Sequence, residues 1–394
     1  MIVPDVRRWA SRGWPAVVAL LFACGGEDSQ APPPDEGQPV AAGCHDSALA
    51  ATGALYRICF PQSWNGELVL YAHGYVSATE PIAIPDDQLG GQPISQVVNG
   101  LGYAYATTSY RANGLVADLA ADDVAQLVEE VRRRFRPDPA RAYVVGVSEG
   151  GLVAALAAER HADLLQGAVA ACGPVGDFAA EIDYLGDFRV VFDYFFPGVI
   201  PGSAVDVPAA VRSEWSTKYV PAVVAALQAS PSATLELLAV TGAPTDPADQ
   251  LSVGATVQDV LWYDVFALPD ARARLGGQPY DNVGRTYHGS LDDAALNAGV
   301  ARIAADASAR ASLGQFETSG ALTLPLATLR TTGDPIVPAV QSVRYAEKVT
   351  AHGNGSLLDS RTVSRYGHCS FQANELFDAF AAVVARARAS ARID

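Results

Sequence analysis

The sequence contains little positive charge and no long apolar run. Among its 394 residues, 27 Lys and Arg stand against 43 Asp and Glu, so the formal net charge is −16. Because phosphate binding needs a basic surface, this charge argues against a nucleic-acid partner. No run of about 18 or more apolar residues offers a membrane-spanning helix. With 49% hydrophobic and 18% charged residues, the chain can bury a large core, which excludes global disorder.

Patterns typical of metal and phosphate sites are also missing. The sequence has 5 Cys and 6 His, but no His-x-x-x-His, no Cys-x-x-Cys and no carboxylate ladder with a Gly turn. No Gly-rich loop of the phosphate-binding kind occurs either. We therefore expect no metal ion and no cofactor.

The first residues indicate export from the cytosol. Three arginines precede a short apolar run that ends in Ala23-Cys24, which predicts a signal peptide over residues 1–23. The end of this run resembles a bacterial lipobox, in which Cys24 becomes the lipidated first residue of the mature chain. Ordinary signal cleavage nearby is the alternative. Residues 24–43 are rich in Gly, Pro and Gln and predict a flexible tether. We therefore expect an exported protein, either secreted or anchored by lipid to the membrane of the bacterial cell envelope.

Four cysteines follow the tether, at Cys44, Cys59, Cys172 and Cys369. An even number in an exported protein predicts two disulfides, for which three connectivities are possible. Pairing Cys44 with Cys59 is the local choice because it closes a short loop, and it leaves Cys172 for Cys369. Four buried thiols are the alternative.

Strand-like and helix-like segments alternate along much of the chain. From about residue 55 to 172, short β-branched or aromatic runs alternate with amphipathic stretches, which predicts parallel β-α-β units. Residues 174–320 interrupt this alternation with helical stretches separated by Pro and Gly. The alternation resumes after them. We therefore predict an α/β core formed by residues 44–173 and 321–394, with the segment between them inserted as a cap.

Ser148 lies in a Gly-x-Ser-x-Gly motif between a predicted strand and a predicted helix. The strand covers Arg141–Val147, and an Ala- and Leu-rich helical stretch follows. A nucleophile on such a sharp turn needs small neighbours, and Gly146 and Gly150 provide them. The amino end of the following helix favours developing negative charge. The motif in this context predicts a serine nucleophile.

A serine nucleophile requires a base and an acid, and two loops can supply them. Asp334 follows a predicted strand within a Gly-Asp-Pro turn, and His368 precedes the last helix. The chain order Ser148, Asp334, His368 suits a triad built on parallel strands. Asp177 and Asp183, which follow the sixth strand, are the alternative acids.

Donors for an oxyanion are expected next to the nucleophile. His73-Gly74-Tyr75 ends a predicted strand, and the glycine lets the backbone turn toward the reacting carbonyl. We expect the backbone N–H groups of Tyr75 and Glu149 to be the donors. The side chain of His73 is then predicted to hold the loop rather than to take part in catalysis.

Together these pieces resemble the α/β-hydrolase superfamily, in the family's order along the chain: His73-Gly74, Gly146 to Gly150 around Ser148, Gly333-Asp334 and His368. The resemblance implies an eight-stranded, mostly parallel sheet flanked by helices, with a mainly helical lid inserted after the sixth strand. It further implies an esterase or lipase that cleaves carboxylic esters through an acyl-enzyme. Cys369, directly after His368, is similar to a cysteine of the tannase and feruloyl esterase group, although Val147 stands where that group has another Cys.

Other functions remain open at this point. A serine peptidase of the prolyl type on the same fold is one alternative, and a non-catalytic binding lipoprotein is another. Aromatic residues recur at helical spacing in the insertion and would either cover the substrate or form the insertion's own core, which is the favoured interpretation. They are Tyr184, Phe188, Phe192, Phe195 and Phe196, and the same ambiguity applies to Trp215, Trp262 and Tyr263.

Overall fold

The computed structural model describes residues 37–390. The predicted signal peptide, Cys24 and most of the predicted tether lie outside the described residues. Near the start of the described chain, Gln38–Pro39 pairs with Phe135–Arg136 in a short two-stranded ladder.

An eight-stranded sheet forms the centre of the protein. Its strands are β1 (Gly43–Ala48), β2 (Leu55–Phe60), β3 (Glu67–Ala72), β4 (Ala104–Thr108), β5 (Arg141–Val147), β6 (Gly167–Ala171), β7 (Leu326–Gly333) and β8 (Leu358–Tyr366). They lie in the order β8-β7-β6-β5-β3-β4-β2-β1. The pairs β1–β2 and β2–β4 are antiparallel, and the other pairs are parallel. The predicted mostly parallel sheet of eight strands is confirmed.

Helices cover both faces of this sheet. They are α1 (Ile94–Gly100), α2 (Ala117–Arg134), α3 (Glu149–Arg160), α4 (Phe178–Phe195), α5 (Ala209–Ser213), α6 (Val220–Ala229), α7 (Pro231–Thr241), α8 (Leu251–Leu275), α9 (Asp293–Gly299), α10 (Ala307–Ser312), α11 (Val340–Ala351) and α12 (Ala373–Ser390). One apolar cluster joins α2 and α3 to one face of the sheet, and two smaller clusters join α1 and α12 to the other. The α/β-hydrolase architecture implied by the resemblance is therefore present.

The helices α4 to α10 all lie between β6 and β7. This is the place after the sixth strand where the resemblance implies an insertion. Within this segment, α4 packs against both α7 and α8. We refer to residues 174–320 as the cap.

The aromatic residues around α4 form the interior of the cap. Phe188, Phe192 and Phe196 are 0%, 0% and 4% exposed. Tyr184 is half-buried, and its hydroxyl donates to the carbonyl oxygen of Pro335 at 2.7 Å, next to the predicted acid. The favoured interpretation, a core for the cap itself, agrees with this packing.

None of the helices between residues 37 and 390 is by itself long and apolar enough to cross a membrane. The segments Trp215–Ala229 and Pro231–Thr241 reach that length and composition only as a pair, and they are bent by 105° relative to each other.

A buried ion pair joins two helices of the cap. Arg189 on α4 is 0% exposed, and its Nη1 lies 2.8 Å from Oδ2 of Asp264 on α8. Its Nε lies 2.8 Å from Oδ1 of Asp193, and its Nη2 donates to the carbonyl oxygen of Ile200. One guanidinium is therefore shared by two carboxylates and joins α4 to α8.

Replacing this arginine is expected to destabilise the protein. Arg189→Met should lower the free energy of unfolding by about 3–5 kcal/mol, because Asp264 would stay buried without its cation. Urea unfolding followed by circular dichroism measures the change. The double variant Arg189→Met/Asp264→Leu removes the guanidinium and the buried Asp264 carboxylate and leaves only the part-exposed Asp193 without its cation, so it should recover most of the loss. If the double variant is as unstable as the single one, lost packing rather than an unpaired charge is responsible.

Candidate active site

The predicted nucleophile lies on a sharp turn between β5 and α3. Ser148 has φ 60° and ψ −126°, a backbone conformation that residues with side chains rarely adopt. A Cβ at Gly146 would lie 1.7 Å from the carbonyl oxygen of Gly150, and a Cβ at Gly150 would lie 2.0 Å from that of Ala72. Both glycines are therefore required for the strand, the turn and the helix to pack this closely.

The structure brings the predicted base and acid to this serine. His368 Nε2 lies 2.8 Å from Ser148 Oγ. His368 Nδ1 lies 2.8 Å and 3.0 Å from the two carboxylate oxygens of Asp334. Asp334 Oδ1 also accepts the N–H groups of Ile336 and Val337 at 2.9 and 3.0 Å, which fixes the carboxylate's orientation. Three residues from separate loops thus form one continuous hydrogen-bonded chain.

The predicted oxyanion donors flank the same serine. A Cβ at Gly74 would lie 3.2 Å from Ser148 Cβ, so the loop that carries Tyr75 passes directly beside the nucleophile. Glu149 is the first residue of α3, where a backbone N–H has no partner within its own helix. Among the described residues, neither the Tyr75 nor the Glu149 N–H donates to another backbone group. The lack of a backbone acceptor is compatible with the predicted role of both N–H groups as oxyanion donors.

The side chains of Glu149 and His73 hold the surrounding loops. The Glu149 carboxylate accepts the N–H of Val116 at 2.9 Å, and burial raises its pKa to about 8. The His73 ring stacks on Tyr110 with 4.0 Å between ring centroids, and its Nδ1 lies 2.7 Å from the carbonyl oxygen of Gly74. Burial lowers the pKa of His73 to about 4, so the ring is uncharged at neutral pH.

Two disulfides are present, and one of them adjoins the base. Cys172 and Cys369 are bonded, with 5.3 Å between their Cα atoms, so the residue after His368 is tied to the end of β6. Cys44 and Cys59 join the paired strands β1 and β2. These pairs are the ones the sequence favoured. Both are compatible with an exported protein, because such bonds persist in oxidising compartments.

The alternative acids lie in a different environment. Asp177 caps the amino end of α4 and lies 2.6 Å from Nη1 of Arg344. Asp183 lies 2.6 Å from Nη1 of Arg310 and accepts from a second arginine. Within the described residues, neither carboxylate contacts His368. Both are members of ion pairs at the cap.

Aromatic side chains of α8 meet the loop that carries Tyr75. The centroid of the Tyr75 ring lies 6.0 Å from that of Trp262 and 6.1 Å from that of Tyr263. Trp262 in turn stacks on Phe266 at 4.9 Å, and Trp215 packs edge-on against Phe266. The sequence left open whether these residues belong to the cap's core or to the site. The structure places them at the boundary between the two.

No protein-family model matches the chain, and no curated protein matches it. Among solved structures, it is similar to a puromycin-hydrolyzing peptidase of Mycobacterium tuberculosis, with 12% identity, a TM-score of 0.44 and coverage of 87% of this chain and 38% of that one. It is also similar to an acylaminoacyl peptidase of Pyrococcus horikoshii, with 11% identity and a TM-score of 0.40. This match covers 83% of this chain and 37% of the peptidase. A third similar structure is a monoacylglycerol lipase of Paleococcus ferrophilus, with 13% identity and a TM-score of 0.39. This match covers 85% of this chain and 98% of the lipase.

The chain spans only 38% and 37% of the length of those two peptidases. The likeness to the tannase and feruloyl esterase group stays a prediction, because no family model matches.

Proposed function

We propose that the protein is a serine hydrolase that cleaves carboxylic esters, with Ser148 as nucleophile, His368 as base and Asp334 as the orienting acid. The observation that carries this proposal is the hydrogen-bonded chain from the Asp334 carboxylate through both ring nitrogens of His368 to Ser148 Oγ. Such a chain activates a hydroxyl that is otherwise a weak nucleophile.

The proposed reaction has two acyl-transfer steps. Ser148 Oγ bonds to the ester carbonyl carbon while its proton passes to His368 Nε2, and the backbone N–H groups of Tyr75 and Glu149 stabilise the oxyanion. The C–O bond to the alcohol then breaks, and His368 gives the proton to the departing oxygen. Water, deprotonated by the same nitrogen, attacks the acyl-enzyme and releases the acid.

We also propose that the enzyme works outside the cytosol, attached to a membrane through lipid on Cys24 or else secreted. The two disulfides support this location, since cytosolic thiols are kept reduced. The resemblance of residues 21–24 to a lipobox supports the lipid anchor.

A peptidase is the second candidate, and a charged cleft favours it. The cleft lies beside the loop of the proposed acid, where Tyr184 and Pro338 line it together with the ion-paired Asp183, Arg285 and Arg310. A peptide terminus is charged, and a protein recognises it through charged groups of this kind. The ester substrate is preferred because aromatic side chains, Trp262 and Tyr263, pack against Tyr75 on the loop beside the nucleophile.

Two chromogenic substrates separate these functions. The esterase should hydrolyse p-nitrophenyl butyrate with a much higher kcat/KM than any aminoacyl-nitroanilide, and a series of p-nitrophenyl esters with graded acyl chains would define its acyl preference. A peptidase would cleave an aminoacyl-nitroanilide at least as efficiently as the ester. A protein that hydrolyses neither and fails to react with a fluorophosphonate probe would be a binding protein, which contradicts both proposals.

A further inference from the structure

Three consecutive backbone N–H groups connect separate parts of the proposed site. They belong to Gly114, Leu115 and Val116, which are buried and lead into α2, and we refer to these residues as the linking segment. The Gly114 N–H donates to the carbonyl oxygen of Val76, the residue directly after Tyr75, at 2.8 Å. The linking segment is therefore bonded to the loop that carries one of the two expected oxyanion donors.

Two carboxylates bind the other two N–H groups of the linking segment. The Val116 N–H donates to Glu149 Oε1 at 2.9 Å. The Leu115 N–H donates to Asp270 Oδ2 at 2.6 Å. Glu149 directly follows Ser148 and is 7% exposed, and Asp270 lies on the cap helix α8. The linking segment thus joins the turn of the nucleophile and the cap to the loop of the other donor.

The contact with Asp270 depends on a glycine. Gly114 has φ +90°, and a Cβ at this position would lie 2.3 Å from Asp270 Oδ2. The same cap helix contacts the loop of Tyr75 a second time, because the Tyr75 hydroxyl donates to the carbonyl oxygen of Phe266 at 3.4 Å. Phe266 lies about one helical turn before Asp270. The helix α8 therefore holds both the linking segment and the loop to which that segment is bonded.

The linking segment bears on the geometry of the oxyanion donors. These donors, the backbone N–H groups of Tyr75 and Glu149, follow different strands, β3 and β5. One is attached to the segment through Val76 and the other through its own side chain. Two donors stabilise an oxyanion together only when both lie at hydrogen-bond distance from the same point. A misplacement of about 1 Å can lower the rate by about 10²-fold, so their separation has to be fixed.

We propose that the side chains of Glu149 and Asp270 are positioning groups, which set the separation of the two oxyanion donors by holding the linking segment. The inference rests on the proposed acyl-transfer function. It assigns a role in the reaction to two side chains that act through the backbone. It also makes the cap a part of the catalytic machinery, because α8 supplies Asp270. A displacement of α8 would release the Leu115 N–H and loosen the donors.

The test removes each carboxylate and then restores its acceptor. Glu149→Ala and Asp270→Ala are each expected to lower kcat for p-nitrophenyl butyrate by about 10²-fold, with little change in KM. The inhibition constant of phenylboronic acid should rise in parallel, because its tetrahedral adduct with Ser148 places an oxygen where the oxyanion forms. Glu149→Gln and Asp270→Asn keep an oxygen that can accept the backbone N–H, so they should recover most of the loss. Because burial raises the pKa of Glu149 to about 8, Gln also reproduces the mostly uncharged side chain at pH 7.

Glu159→Ala is the matched control. Glu159 lies on the same helix as Glu149, roughly 15 Å further along it at about 1.5 Å per residue. Its carboxylate also accepts backbone N–H groups, those of Ser319 at 2.6 Å and Gly320 at 2.8 Å. Its loss should lower the temperature of thermal unfolding and leave kcat unchanged, because these contacts tie the end of the cap to α3.

Unchanged kcat in the two alanine variants would overturn the inference. A lower kcat with an unchanged inhibition constant would do the same, because the tetrahedral adduct would then be held as well as before. Gln and Asn variants as slow as the alanine variants would also overturn it, since the lost acceptor would not be the cause. If Glu149→Ala fails to fold, Asp270→Ala decides the question, because its half-buried carboxylate holds the same segment. A wild-type protein that neither hydrolyses esters nor reacts with fluorophosphonate would contradict the proposed function itself, which is a distinguishable result.

Discussion

Ser148→Ala is expected to lower kcat for p-nitrophenyl butyrate by about 10⁶-fold, the loss seen when a triad nucleophile is removed. The expected loss is this large because the acyl-enzyme cannot form without the hydroxyl, and His368 alone has no group to deprotonate other than water. Residual turnover would come from the oxyanion donors and from substrate binding. Steady-state hydrolysis, with labelling by a fluorophosphonate probe, measures the effect, and labelling should disappear completely.

Ser213→Ala is the matched control for this variant. Ser213 lies exposed at the end of α5, away from the proposed site, so its substitution should leave turnover and labelling unchanged. Thermal unfolding of both variants should stay close to that of the wild type. If Ser148→Ala retained full activity or labelling, the assignment of the nucleophile would be wrong.

Asp334→Asn is expected to lower kcat by about 10⁴-fold while the protein remains folded. The carboxylate accepts a hydrogen bond from the N–H group at His368 Nδ1, which keeps the proton on that nitrogen and leaves Nε2 able to accept from Ser148. An amide in its place can donate to Nδ1 and so favours the other ring tautomer, with its proton on Nε2. Asn can still accept the N–H groups of Ile336 and Val337, so the loop should keep its conformation.

Asp177→Asn is the control, because Asp177 is one of the two alternative acids. Its carboxylate caps α4 and pairs with Arg344, so the variant should lose some stability and little kcat. Measuring kcat and thermal unfolding for both variants separates the two roles. A larger loss of kcat in Asp177→Asn than in Asp334→Asn would reassign the acid.

The sequence predicted those features that depend on local geometry. Gly146 and Gly150 flank Ser148 because any Cβ there would collide with backbone atoms, so the turn leaves a recognisable pattern. The alternation of strands and helices predicted the parallel sheet for a similar reason, since each element shows its own hydrophobic period. Cys44 and Cys59 could be paired because they lie close together in the chain, and the other pair followed by elimination.

The contacts of the cap could not be predicted in the same way. Helical periodicity shows which residues share a face, but it does not show what that face meets. Phe188 and Tyr263 are both aromatic residues on cap helices, yet Phe188 is fully buried inside the cap, whereas Tyr263 packs against Tyr75 on the loop beside Ser148. The buried pair of Arg189 and Asp264 is equally invisible in the sequence, because its partners come from helices far apart in the chain.

The described chain begins at the end of β5 that is opposite the proposed nucleophile. The Gly37 N–H donates to the carbonyl oxygen of Arg133 at the end of α2, and the short ladder with Phe135–Arg136 lies just before β5 begins. Ser148 follows the other end of β5, roughly 23 Å away at about 3.3 Å per residue. A tether attached at Gly37 would therefore join the domain at the end of β5 opposite the one that Ser148 follows. With a membrane attached through such a tether, substrates would reach Ser148 without passing the point of attachment.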